Sequence, residues 1–204
     1  MLHPTFQTVS GTQIPCCVFD SSDSACRRAA EMIAALVRDR RAESGRAVLG
    51  LATGSMLLGV YRELVRMHRE EQLDFAGVEA FVLDEYFGLP AAHPRSHYRW
   101  MSTHFLDHVN LAPRSIHLLD GAAAPDQVET HCRRFDEAIR AVGGIDLQLL
   151  QIGRNGRIGF NEPFSVHNSR TRLVTLDPVT RKDAADDFLG EDNVPTHALT
   201  MGIG

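Results

Sequence analysis

The sequence predicts an α/β fold, a doubly wound and mostly parallel sheet formed as a single domain, and three observations lead there. The runs AVLGLATGS, VEAFVLDEY and IDLQLLQIG carry apolar stretches that do not alternate, the mark of strands buried on both faces. Segments with helical spacing lie between them, and parallel strands require such crossovers. A length of 204 residues, 44% hydrophobic and 23% charged, fits one unit on a scale of about 100–200 residues per domain.

The elements follow in order. From Ser21, SSDSACRRAAEMIAALVRDR opens with capping residues and places Ala25, Ala29, Met32, Ile33, Leu36 and Val37 on one helical face. After a polar stretch from Arg40 to Arg46, AVLGL reads as a strand ending in Thr53-Gly54-Ser55, and Leu57, Leu58, Tyr61, Leu64 and Val65 mark the next helix. VEAFVLDEY reads as a buried strand that closes on acids, and SHYRWMSTHFLDHV as a helix after Ser96. PDQVETHCRRFDEAIRAV is a helix with Pro125 in its first turn, leading through Gly143-Gly144 into IDLQLLQIG. RTRLVTL and HALTMG supply two further strand candidates, and the polar stretch from Thr180 to Val194 reads as a mobile surface segment. The arrangement is Rossmann-like, with three layers. No repeat, low-complexity tract or linker divides it.

Composition excludes several functions. A net charge of −5 offers no basic face for nucleic acid. No apolar run approaches the roughly 20 residues that cross a bilayer, and the N-terminal MLHPTFQTVSGTQIPCCVFD lacks the basic-then-apolar order of a leader. The expectation is a soluble cytoplasmic protein with no nucleic-acid or membrane partner. Cys16, Cys17, Cys26 and Cys132 form neither a CxxC pair nor a disulfide framework and read as reduced thiols.

Ligands of doubly wound sheets bind outside the carboxyl ends of the strands, which directs attention to three segments. Thr53, Gly54 and Ser55 run into a helix N-terminus and suit one phosphate, although neither the Walker spacing nor GxGxxG is present; an ordinary strand-to-helix turn is the alternative. Asp84 and Glu85 follow directly on apolar residues. A partly desolvated carboxylate there suits proton abstraction beside a carbonyl or imine, with the two acids on opposite faces and therefore in different tasks; a capping or salt-bridging acid is the alternative. The third segment, IGRNGRIGFNEPFS, gathers Asn155, Gly156, Arg157 and Glu162 in one glycine-rich connection able to meet sugar hydroxyls, or simply a tight turn. His97, His104 and His108 fall at helical spacing, yet HFLDH lacks the glutamate of the zinc-protease motif, so a solvated face is the better reading and no metal is expected. No GxSxG elbow occurs.

Taken in order, LATGSMLLGVY, LDEYFGLPAAHPRSHYRWM, GIDLQLLQIGRNGRIGFNEP, SRTRLVTL and VPTHALTMGIG resemble the glucosamine-6-phosphate deaminase family, within the glucosamine/galactosamine-6-phosphate isomerases and related lactonases. The resemblance spans about Val48 to Gly204 and implies a parallel α/β sheet. It also implies a cofactor-free conversion of glucosamine 6-phosphate and water to fructose 6-phosphate and ammonia. By position, Asp84 would be the base at the carbon bearing nitrogen, Glu162 and Asn155 members of the ring-opening relay, and Thr53, Gly54 and Ser55 part of the phosphate loop, with Glu85 and Gly156 beside the substrate. Arg157 stands where the family has its ring-opening histidine, and an arginine stays protonated near neutrality. Met56 and Leu57 stand where the family commonly has Thr and Pro. The family also continues past HALTMGIG into further sheet and helix carrying a phosphate-binding lysine. The resemblance makes Arg170 and Arg172 candidates for anion or allosteric binding, with exposed salt bridges as the alternative. Val174 stands where regulated relatives have lysine, so such allostery is not expected. A catalytically impaired sugar-phosphate-binding paralogue and a lactonase acting on a sugar-acid phosphate are the other readings. The partner expected is a small sugar phosphate, and a homo-oligomer stays open.

Overall fold

Ala47–Leu51 (β3) lies at the centre of a four-stranded parallel sheet, and all five of its residues are buried. The structure, a computed structural model, describes residues 6–9, 11 and 13–204. The reading of the N-terminus as lacking a leader rests partly on residues 1–5, 10 and 12, which lie outside the described residues. An antiparallel pair that the sequence reading did not anticipate, Phe6–Val9 (β1) with Cys16–Phe19 (β2), precedes the helix Ser22–Ser44 (α1).

β3 is flanked by Val78–Val82 (β4) and Leu147–Gln148 (β7), with Ile116–His117 (β6) outside β4. Alternate residues of the central strands feed opposite layers. Leu49, Leu51 and Val82 pack with α1 and with Leu58–Glu71 (α2), while Val48 and Phe81 pack with Val128–Ala141 (α4). This is the three-layer arrangement expected. At the lower end, Asp146 draws β7 to β3: its Oδ2 accepts from Val48 N at 2.8 Å and its Oδ1 from Arg40, whose guanidinium holds the carboxyl below its ordinary range. Ser21 caps α1 through Ser24 N as expected, but the buried face is Ala30, Ile33, Ala34 and Val37, and Met32 is 52% exposed. Four residues at strict i, i+3, i+4, i+7 spacing fit the groove against α2 better than the wider stripe that included Met32.

Beyond the mostly parallel sheet expected, a second sheet stands at its upper edge. Asp84–Tyr86 (β5), Arg172–Thr175 (β8) and His197–Thr200 (β9) form a separate antiparallel sheet in the order β5-β9-β8. Leu83 is the seam between the two sheets. Its N–H donates to Leu51 O at 3.1 Å in the parallel sheet, and its carbonyl accepts from Met201 N at 2.8 Å beside the second. The stretch from Thr180 to Val194 is also tied down: Pro178–Ala184 (α5) is capped by Asp177, and Thr180 and Val194 are each only 2% exposed. The four cysteines are free.

Candidate active site

The carboxyl ends of β3, β4 and β7 open into a cleft of about 630 Å³, whose wall includes Thr53, Gly54, Ser55, Asp84, Arg157 and Gly159. Each comes from one of the three strand-end segments. After β3 the chain turns at Gly54, whose φ of 140° and ψ of 150° belong to a region essentially reserved for glycine. A Cβ there would also stand 2.4 Å from Gln151 Oε1, so the turn lies flush against the β7 side of the cleft. The turn leads through Ser55–Leu57 into α2, and Tyr61 of α2 secures it by donating to Ala52 O at 2.6 Å. The start of a helix directs its first N–H groups and the positive end of its dipole toward this corner, an arrangement that suits an anion.

After the seam at Leu83, β5 turns its two acids apart. Asp84 is 5% exposed and faces the cleft, and its Oδ1 lies 2.6 Å from His97 Nδ1. Glu85 points the other way and is not among the cleft-lining residues, which corrects its assignment to the substrate. Its Oε1 accepts from Tyr86 N and His97 N, and its Oε2 from Tyr98 N, so the carboxylate clamps the start of His97–His104 (α3). Burial raises its pKa above the ordinary value, against the lowering influence of His97 and the three N–H groups. His97 was expected on a solvated face with His104 and His108. It is instead tucked into the cleft wall beside Asp84; His104 also lines the cleft, leaning on Trp100, whereas His108 contacts Arg69 from a following turn, Leu106–His108. Burial alone would lower the His97 pKa, but Asp84 and Glu85 outweigh it, and the net shift is upward.

The third segment divides. Arg157 reaches the cleft, donating to Gly159 O at 2.5 Å with its guanidinium 5.3 Å from the centre of the Phe160 ring. Asn155, Gly156 and Glu162 do not line it. Asn155 Nδ2 donates to Glu162 Oε2 at 2.9 Å, its Oδ1 accepts from Arg157 N, and Glu162 Oε1 accepts from Asp177 N at 3.0 Å. These residues brace the loop from behind and tie it to α5. Gly159 brings the loop onto Asp84. Its φ is +58°, and a Cβ on it would stand 2.5 Å from Leu83 Cδ1 and 3.2 Å from Asp84 Oδ2.

Arg170 and Arg172 lie outside the cleft and make no salt bridge among the described residues, contrary to the alternative raised for them. Arg170 donates to Gly204 O, and Arg172 to Asn161 Oδ1 and Ser165 Oγ, with burial lowering the Arg172 pKa. Among the described residues no group of three or more metal-ligating side chains converges, and no helix is long and apolar enough to cross a membrane. The residue that sequence reasoning missed is His97. Its signal was Ser96, which caps α3 through Arg99 N and thereby fixes His97 in the first turn beside the DEY strand.

Comparison with known proteins adds the following. Residues 20–159 match the family model described as glucosamine-6-phosphate isomerases/6-phosphogluconolactonase. A glucosamine-6-phosphate deaminase from Corynebacterium kroppenstedtii is 50% identical over 158 residues, 78% of this chain and 60% of the relative. The chain thus spans about three fifths of that relative's length. A solved structure of a monomeric glucosamine-6-phosphate deaminase superposes with a TM-score of 0.84 at 41% identity, covering 90% of this chain and 73% of the other. A 6-phosphogluconolactonase from Thermotoga maritima, 18% identical with a TM-score of 0.63 over 87% of this chain and 72% of its own, shares the fold.

Proposed function

We propose, since the chain belongs to the glucosamine-6-phosphate isomerase/6-phosphogluconolactonase family, that it converts glucosamine 6-phosphate and water to fructose 6-phosphate and ammonia in cytoplasmic amino-sugar catabolism. The observation that carries this reading is the meeting of an anion-favouring turn, Thr53–Gly54–Ser55, and a buried carboxylate, Asp84, in one cleft. The turn takes the phosphate, which leaves the carbon bearing nitrogen to approach Asp84. In the opened sugar, Asp84 removes the proton from that carbon and returns it to the neighbouring aldehyde carbon. The resulting ketimine adds water and expels ammonia, so that no net oxidation occurs and no cofactor is needed. Arg157 holds the ring oxygen by hydrogen bonding. It does not cycle a proton near neutrality, so ring opening leans on solvent.

Incubating the purified chain with glucosamine 6-phosphate is expected to release ammonia and fructose 6-phosphate in equal amounts, and Asp84→Asn to lower that rate by about 10²–10⁴-fold. Absence of product above the buffer rate removes the activity. Arg157 favours a second reading, a binding protein without turnover, and calorimetry showing tight binding of the same sugar phosphate with no product selects it.

A further inference from the structure

His97 lines the cleft and is not used by the proton transfer just described, although it is the residue most closely tied to Asp84. Two consecutive residues of β5 hold it at two points. The Glu85 carboxylate takes its backbone N–H at 2.9 Å, and the imidazole Nδ1 lies 2.6 Å from Asp84 Oδ1 and 3.0 Å from the Asp84 carbonyl oxygen. Both oxygens accept hydrogen bonds, so Nδ1 carries the hydrogen and the tautomer is set by its surroundings. The ring lies parallel to Phe160, with centroids 5.5 Å apart and planes inclined by 13°, and meets Tyr86 edge-on at 5.0 Å. The side chain is 14% exposed against 6% for Asp84, and its Nε2 has no hydrogen-bond partner among the described residues.

We propose that His97 is a positioning residue for Asp84: its Nδ1–H pins Oδ1, leaves Oδ2 as the oxygen that exchanges protons with substrate, and couples the carboxylate's basicity to the charge on the imidazole. This rests on the reading of Asp84 as the base. The coupling follows from proximity. A charged imidazole at hydrogen-bond distance weakens Asp84 as a base, and its loss of charge as pH rises strengthens it. The groups facing the ring are Asp84, Glu85 and the Tyr86 phenol on β5 and, across Phe160, the Arg157 guanidinium of the loop. Of these, Arg157 holds a fixed charge and burial raises the Tyr86 phenol, which leaves the imidazole, beside the two carboxylates, as the group whose charge changes.

Two measurements test it. Without substrate, the His97 ring protons followed by NMR are expected to titrate at lower pH in Asp84→Asn than in the parent protein; an unmoved midpoint overturns the coupling whether or not the chain turns over any sugar. With glucosamine 6-phosphate, His97→Asn keeps an N–H near the Nδ1 position without titrating. It is expected to hold kcat within about threefold of the parent while the inflection that belongs to the imidazole vanishes. His97→Phe removes both functions and is expected to lower kcat by about 10–100-fold with KM within about threefold, the scale of a misplaced reacting group. Parent-like kcat and pH profile in His97→Phe overturn the inference. If the parent itself makes no product, the functional reading fails and the NMR titration alone decides the coupling.

Discussion

On the β5–α3 side of the cleft, Asp84, Glu85 and His97 are largely buried, and each is fixed by a named donor or acceptor. On the facing loop, Arg154 is 65% exposed at its side chain and pairs with Asp183, and Arg157 binds a carbonyl of its own loop. Burial beside a partner changes the proton affinity of a group, whereas a guanidinium tied to its own backbone contributes charge and shape only. One wall is therefore suited to moving protons, and the other to holding a substrate still.

Making the loop wall titratable is the largest available change to that contrast. Arg157→His is expected to raise the rate on closed-ring glucosamine 6-phosphate, by up to about 10²-fold, the lower end of what a positioned acid–base group supplies. The measurement is ammonia release compared on freshly dissolved and pre-equilibrated sugar, and an unchanged rate shows that ring opening does not limit. Separating the walls is the next. Gly159→Ala places a methyl group 2.5 Å from Cδ1 of Leu83, a side chain 1% exposed within the core, at a φ of +58°. The expected loss is about 2 kcal/mol, combining left-handed strain with overpacking, read as a lower urea midpoint. A midpoint equal to the parent's contradicts the close approach.

The smallest effect is a pH slope that the buried wall contributes. The folded-state pKa of His97 is above its ordinary value of 6.5, and that of Glu85 is above 4.5. A group whose pKa rises on folding stabilises most below its unfolded value and loses that contribution as pH climbs through the folded one. Both groups therefore make stability decline as pH rises, Glu85 from about pH 4.5 and His97 from about pH 6.5 upward. Urea midpoints measured across this window are expected to fall in the parent and to fall less in His97→Phe. A parent midpoint that rises with pH contradicts the assigned directions.

Much of this wall was visible in the sequence, and the limits of that view have physical causes. Continuous apolar runs located β3 and β4, and the alternation of a strand separated the tasks of Asp84 and Glu85. Periodicity reports which face is buried but not what covers it. The antiparallel pairing of β5 with β9 joins residues 116 positions apart at Asp84 and Thr200, and no local pattern marks it. The same limit hid Glu85, whose partners are backbone N–H groups of α3, and His97, whose helical spacing with His104 masked an attachment to another element. Asn155 and Glu162 were placed in the correct loop, but their bonds to each other and to Asp177 depend on where α5 packs.

The pairing of β5 with β9 sets Asp84 opposite Thr200 and Glu85 opposite Leu199. Two adjacent letters of the chain thus hold opposite posts, and only the frame in which the strand is threaded decides which acid serves where. Deleting one residue at the seam, or adding one, would exchange them: a longer side chain would enter the chamber and the helix would lose its anchor. The division of labour is written in spacing as much as in residue type, and a single codon gained or lost would scramble it while keeping both acids in the chain.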